Sequence, residues 1–126
     1  MAENESVELG AVDYRGLQVW QMSMDLCADV YELTRKFPAE ERFALGDQLR
    51  RAVVSIPSNI AEGNGRLSRR DYAHFLGMAR GSLHEVQTQL ELAERFGYIT
   101  RSPELISRSI SISKMLYSMV RKLSVS

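Results

Sequence analysis

Cysteine is nearly missing from this sequence, and with it go the architectures that depend on cysteine. The single Cys27 cannot close an internal disulfide, and with only two histidines it cannot complete a structural zinc site. Its simplest role is that of a small core residue. No apolar run approaches the ~20 residues that a membrane span requires. The N-terminus, Met1-Ala2-Glu3-Asn4-Glu5, carries acids where a secretory signal has a basic start and an apolar stretch. The expectation is a cytoplasmic protein without membrane contact. Glycine-rich phosphate loops, nucleophile arrangements and acidic pairs with metal-ligand spacing are also missing. The sequence therefore reads as non-enzymatic, with no cofactor, no metal and no evident small-molecule substrate.

What is present is enough for one hydrophobic core in a chain of 126 residues. A hydrophobic fraction of 44% with 25% charge excludes disorder beyond the first dozen residues. The formal net charge of zero hides an asymmetry, because residues 1–14 hold four acids (Glu3, Glu5, Glu8, Asp13) and no base. From Arg15 onward sixteen bases face twelve acids, a net +4. Thirteen of those bases are arginine, the cation better shaped for bidentate phosphate or carboxylate contacts. Residues 1–14 read as a flexible acidic tail and residues 15–126 as the folded domain.

Four segments carry helical periodicity, and the short stretches between them hold the loop signals. The first runs from about Leu17 to Lys36 and stops at Phe37-Pro38, since proline disfavours helical geometry in the residue before it. Val19, Met22, Leu26, Val30, Leu33 and Phe37 form one apolar stripe. Leu17, Trp20, Met24, Cys27 and Tyr31 form a second, which faces either a second helix of the same chain or another subunit. The second helix starts near Ala39-Glu40-Glu41, where acids suit the positive end of the dipole. Its core stripe is Leu45, Leu49, Ala52, Val53, Ile56 and Ile60, and the chain breaks at Gly63-Asn64-Gly65. Pro57 lies inside this stripe and frees the Val53 carbonyl, so a kink or helix end is expected there.

The third helix opens with Ser68 and Asp71, a pair resembling a capping box. From Tyr72 to Ala93 an unbroken stripe makes it about 40 Å long, a bundle spine. Gly77 and Gly81 lie one turn apart within it, each costing ~1 kcal/mol of helix stability relative to alanine. A close approach by another backbone or a ligand is the expected compensation. Ser102 and Pro103 open the fourth helix, with Leu105, Ile112, Leu116, Met119 and Leu123 on one stripe and Ile106, Ile110 and Tyr117 on another. Ser109-Ile110-Ser111-Ile112-Ser113 alternates like a strand but is too short to override the longer period. Short connections favour antiparallel neighbours, so the fold class is all-α, an antiparallel up-down-up-down four-helix bundle.

Between Tyr14 and Leu123 the chain resembles the four-helix-bundle proteins encoded in intervening sequences of bacterial 23S ribosomal RNA. Leu17-Gln18-Val19-Trp20, Arg50 through Gly63 (RRAVVSIPSNIAEG) and Tyr72 through Glu85 (YAHFLGMARGSLHE) carry the likeness. That family is similar in turn to the accessory protein of diversity-generating retroelements, a pentameric bundle that works with a reverse transcriptase and presents a basic surface to nucleic acid. The resemblance implies self-association as a homopentamer and an RNA partner, or a nucleic-acid-handling protein.

Three side-chain groups carry chemistry. Arg51, Ser55, Ser58, Asn59 and Glu62 share a polar face beside Pro57, either as a partner site or as hydrogen-bond partners for backbone groups freed by the proline. Arg66, Arg69 and Arg70 cluster before and within the third helix, while Lys114, Arg121 and Lys122 decorate the fourth. Multiplied by an oligomer, such patches form the electrostatic footprint of nucleic-acid binding; otherwise they only solvate the helices. Arg69 and His74 have the spacing of the Arg-x4-6-His motif of metal-independent helical ribonucleases, in which histidine moves a proton and arginine steadies phosphate. The leading reading is a non-enzymatic homo-oligomeric scaffold that binds RNA or a nucleic-acid-handling protein through basic surfaces, with Arg66, Arg69, Arg70, Lys114 and Arg121 as the candidate nucleic-acid contacts. A ribonuclease using Arg69 and His74, and a purely structural oligomer, are the alternatives.

Overall fold

The structure, a computed structural model, describes residues 13–125. The acidic tail proposed for residues 1–14 therefore lies outside the described residues as far as residue 12. Its last two residues belong to the fold. The Asp13 side chain accepts a hydrogen bond from the Arg15 amide (2.9 Å) and caps a 3-10 turn over Tyr14–Gly16.

Among the described residues all regular structure is helical, in four long helices: α1 (Gln18–Thr34), α2 (Leu45–Asn64), α3 (Arg69–Arg95) and α4 (Pro103–Ser124). A separate single-turn helix spans Ala39–Arg42. This corrects the expectation of one second helix starting near Ala39. The break falls at Phe43-Ala44, and Arg50 closes it from the far side by donating to the Arg42 carbonyl (2.6 Å) while pairing with Asp47.

The caps follow the local chemistry. Ser68 Oγ accepts from the Asp71 amide (3.0 Å) and Ser102 Oγ from the Leu105 amide (3.3 Å), each satisfying an amide that a helix start leaves orphaned. At the end of α3, Gly97 takes a φ of +78° and the Tyr98 amide reaches back to the Ala93 carbonyl (2.9 Å), a Schellman closure that only glycine adopts without strain. Tyr98 is thereby set against Phe37, ring centroids 5.6 Å apart.

All four helices contribute to one core, including Val19, Leu26, Val30, Leu49, Val53, Ile56, Ile60, Tyr72, Leu76, Leu83, Val86, Ile112 and Leu116. The alternating serine-isoleucine run lies within α4, with Ser109 and Ile112 buried. Along the α3–α4 seam the partners run in opposite senses: Arg69 meets Lys122, His84 meets Ser113 and Gln87 meets Ser109. Asp29 on α1 pairs with Arg108 on α4. Helix α2 does not end at Pro57 but continues to Asn64. The freed Val53 carbonyl instead accepts a hydrogen bond from Cys27 Sγ of α1 (3.2 Å). Burial raises the Cys27 pKa to about 11, so the thiol keeps the proton it donates.

Two of the expected close approaches change places. Gly63 is buried, and a Cβ there would stand 2.8 Å from Phe75 Cβ and 3.2 Å from the Tyr72 carbonyl oxygen, so α2 and α3 approach closely enough there that only glycine fits. Gly77 and Gly81 are exposed, and a Cβ on either would meet nothing within 4 Å. The second stripe of α1 also divides. Cys27 turns to α2 and Trp20 packs edge-on against Tyr14 at 5.3 Å, while Met24 and Tyr31 stay exposed.

Candidate nucleic-acid interface

The first turn of α3, fixed by its serine cap, carries Arg69 and Arg70. Arg69 Nη2 donates to the Lys122 carbonyl at 2.7 Å, joining the start of α3 to the last turn of α4. A cation suits those terminal carbonyls, and the guanidinium keeps its full charge while donating. Arg66, in the preceding loop, pairs with Glu62 at 3.0 Å and lies 4.6 Å above the Phe75 ring. Arg70 is exposed and has no hydrogen-bond or ion-pair partner among the described residues. Arg66, Arg69, Arg70, Arg121 and Lys122 thus gather at one end of the helices, with Glu62 and Asp71 as the nearby acids in sequence.

Lys114 stands apart from this cluster. It lies eight residues before Lys122 on α4, about 12 Å along the helix, and is exposed. Between them is a group that sequence reasoning missed. Tyr117, assigned to an apolar stripe, is 48% exposed, with the guanidinium carbons of Arg80 and Arg121 at 5.2 and 5.8 Å from its ring centroid. Arg121 Nη1 also donates to the Tyr117 hydroxyl (3.3 Å). Lys114, Tyr117 and Arg121 are spaced by three and four residues, a signal readable on α4 alone. Arg80 comes from α3 and could be paired with them only once the two helices were placed side by side.

The polar face near Pro57 is spent mostly on its own helix. Ser55 Oγ donates to the Ala52 carbonyl (2.7 Å), Ser58 Oγ to Val54 (2.9 Å) and Asn59 Nδ2 to Ser55 (2.8 Å). None of them serves the carbonyl that Pro57 frees, which corrects the second of the two readings of this face: that donor is Cys27. Glu62 is engaged by Arg66, and Arg51 is exposed beside Tyr31 and Val54.

Arg69 and His74 are not brought together. Both lie on α3, and five residues of helix turn their side chains about 140° apart. Arg69 is bound to the end of α4, whereas His74 is exposed and meets Phe75 edge to face at 5.6 Å. A cleft of about 240 Å³ opens between α3 and α4 at their other end, walled by Leu33, Leu90, Ile99, Leu105 and Ile106. Several of its polar groups are already engaged: Glu94 with Arg101 at 3.5 Å, and Gln87 with Ser109 at 3.1 Å. Among the described residues no group of three histidine, cysteine or acidic side chains could hold a metal ion, and no helix is long and apolar enough to cross a membrane.

Residues 15–118 match the family model of the 23S rRNA-intervening sequence protein. The chain is also similar to a crystal structure from Bacteroides thetaiotaomicron VPI-5482, described as a protein with unknown function from the S23 ribosomal protein family. The two share 28% identity with a TM-score of 0.76, over 82% of this chain and 98% of the other. No curated protein matches significantly.

Proposed function

We propose that this chain, which belongs to the 23S rRNA-intervening sequence protein family, is a non-enzymatic homo-oligomeric scaffold that binds RNA through the basic end of its helices. The observation that carries this reading is the Arg69–Lys122 bond, which draws the start of α3 and the end of α4 into one cationic surface. Contacts from Arg66, Arg70 and Arg121 to phosphate supply affinity with little sequence preference. Tyr117, flanked by Arg80 and Arg121, adds an exposed ring on which a base can stack. The divergence of Arg69 and His74 supports binding without cleavage.

The assembly is part of the same proposal. Each subunit is an antiparallel up-down-up-down bundle, a topology supported by the opposed order of partners along the α3–α4 seam. Met24, Tyr31, Val54, Met78 and Leu92 are exposed, and the open glycines Gly77 and Gly81 leave room for a neighbouring helix. Copies of the chain cover this surface in a cytoplasmic homopentamer, the number implied by the resemblance to the retroelement accessory protein. Light scattering at micromolar concentration should return five times the 14.3 kDa subunit mass; a value near 14.3 kDa refutes assembly.

With about five phosphates neutralised, the log of affinity for single-stranded RNA should fall against log salt with a slope of roughly −3.5. Arg70→Gln is the cleanest probe, since Arg70 holds nothing else in place, and it should flatten the slope by ~0.7. Labelled RNA should remain intact, and cleavage abolished by His74→Ala would establish the ribonuclease instead. If RNA is not retained even at ~50 mM salt, where such contacts are strongest, RNA binding fails and a purely structural oligomer or protein scaffold is left.

A further inference from the structure

The basic end has a second polyanion available to it within the same chain. Residues 1–12 carry Glu3, Glu5 and Glu8 and no base, while the remainder holds sixteen bases against thirteen acids. The placement of Asp13 and the turn after it determines where this acidic stretch leaves the fold. The Tyr14–Gly16 turn packs against both α1 and α2. Cys27 touches the Val53 carbonyl, and Gly16 lies eleven residues, about 17 Å of helix, before Cys27. Helix α2 extends eleven residues past Val53 to Asn64 but only eight back to Leu45. Arg42 donates to the Arg35 carbonyl just past α1 (3.2 Å) and Arg50 of α2 to the Arg42 carbonyl, so the end of α1 lies by the start of α2. The turn before α1 therefore meets α2 at its other end, near Asn64, where the chain passes on to Arg66, Arg69 and Arg70. Residues 1–12 join the domain at its basic end.

We infer that this basic end is the docking surface of the chain's own acidic residues 1–12, with Glu3, Glu5 and Glu8 facing Arg66, Arg69, Arg70 and Arg121. Glu8 is five residues from Asp13, within about 17 Å of it at full extension, and Glu3 is within about 35 Å. The arginine surface spans neighbouring helices packed ~10 Å apart, so the tether reaches all of it. Each exposed ion pair is weak by itself. A short tether holds the carboxylates at an effective concentration in the millimolar range, however, and several weak pairs then act together. Three of the four arginines have no acidic partner among the described residues: Arg69 gives one N–H to a carbonyl, Arg121 one to a hydroxyl, and Arg70 is unpaired, whereas Arg66 already faces Glu62.

Docked glutamates occupy the positions that phosphates would take, so they compete with nucleic acid and discourage weak, indiscriminate binding. This competition rests on the RNA-binding reading above; the docking itself rests on charge and placement alone.

The test uses the full chain with Glu3→Gln, Glu5→Gln and Glu8→Gln combined. In the absence of RNA, the backbone amide NMR signals of residues 66–71 should differ between wild type and variant at 50 mM salt and converge at 500 mM. Coinciding signals at low salt overturn the docking. A single-stranded oligouridylate of about twenty nucleotides should bind the variant three- to ten-fold more tightly at low salt, a gap that closes as salt rises. Equal affinities overturn the competition. If neither protein binds the oligonucleotide, the RNA-binding reading and the competition both fall, and the NMR comparison still decides the docking.

Discussion

Helix α2 and helix α3 each carry residues that a helix should avoid, and the two treat them in opposite ways. On α2, Pro57 and Gly63 are buried against neighbours that suit them: a thiol for the proline's freed carbonyl and two aromatic residues against the missing Cβ. On α3, Gly77 and Gly81 face open space. The first pair is accounted for entirely within one chain. The second carries a local cost that one chain does not offset, so the exposed face of α3 is where the proposed assembly is best tested.

The contrast breaks most visibly at Gly63. Gly63→Ala places a methyl against Phe75 Cβ and the Tyr72 backbone, neither of which can swing aside, and should cost ~2–3 kcal/mol by overpacking. A thermal midpoint within a degree of wild type would mean that α2 and α3 are not in close contact there. Next comes Cys27→Val, which keeps the volume but leaves the buried Val53 carbonyl without a partner, at about 1–2 kcal/mol. In a Pro57→Ala background the amide at position 57 can serve that carbonyl, so the same cysteine change should become nearly neutral. Additive denaturation energies for the two changes would sever the proposed link between them.

At the exposed site the sign reverses. Gly77→Ala or Gly81→Ala should raise the stability of the isolated subunit by ~0.5–1 kcal/mol through helix propensity alone. If another copy packs on that ridge, the same changes should lower the assembled mass, and a rise in both stability and assembly would exclude the ridge from the contact. The remaining comparison is one of pH. The folded-state pKa of Cys27, about 11, exceeds its ordinary value of 9.0, so its contribution is complete below pH 9. It is lost as the pH rises through 11, because the unfolded chain releases the proton first. Tyr72, also raised by burial, adds to the decline above pH 10. A melting temperature that rises between pH 9 and 11 would contradict this sign.

The parts of this molecule that could be read from sequence are those whose cause is local. Ser68, Ser102, Pro103 and Gly97 act on residues within one turn of themselves, so α3 and α4 begin and end close to where the pattern places them. The break at Phe43-Ala44 had no such marker, since no proline or glycine occupies either position and its stitch comes from Arg50, eight residues downstream of Arg42. Gly63 signals a chain break in the sequence, but its buried role depends on Tyr72 and Phe75 from the next helix. Arg69 was recognisable as a cation, whereas its bond to Lys122 spans 53 positions. The Arg80–Tyr117 pairing is likewise a product of packing, which no periodicity within a single helix encodes.

The Cys27–Val53 contact also gives the molecule a built-in vibrational label. The S–H stretch absorbs in a part of the infrared spectrum where proteins are otherwise nearly transparent, and a thiol donating to a carbonyl absorbs at lower frequency, and more strongly, than a free one. With a single cysteine in the chain, that band reports on one atom at the α1–α2 seam without any introduced probe. Its frequency can be followed as protein concentration is raised or RNA is added, so any strain transmitted to the α1–α2 seam is readable in the native sequence.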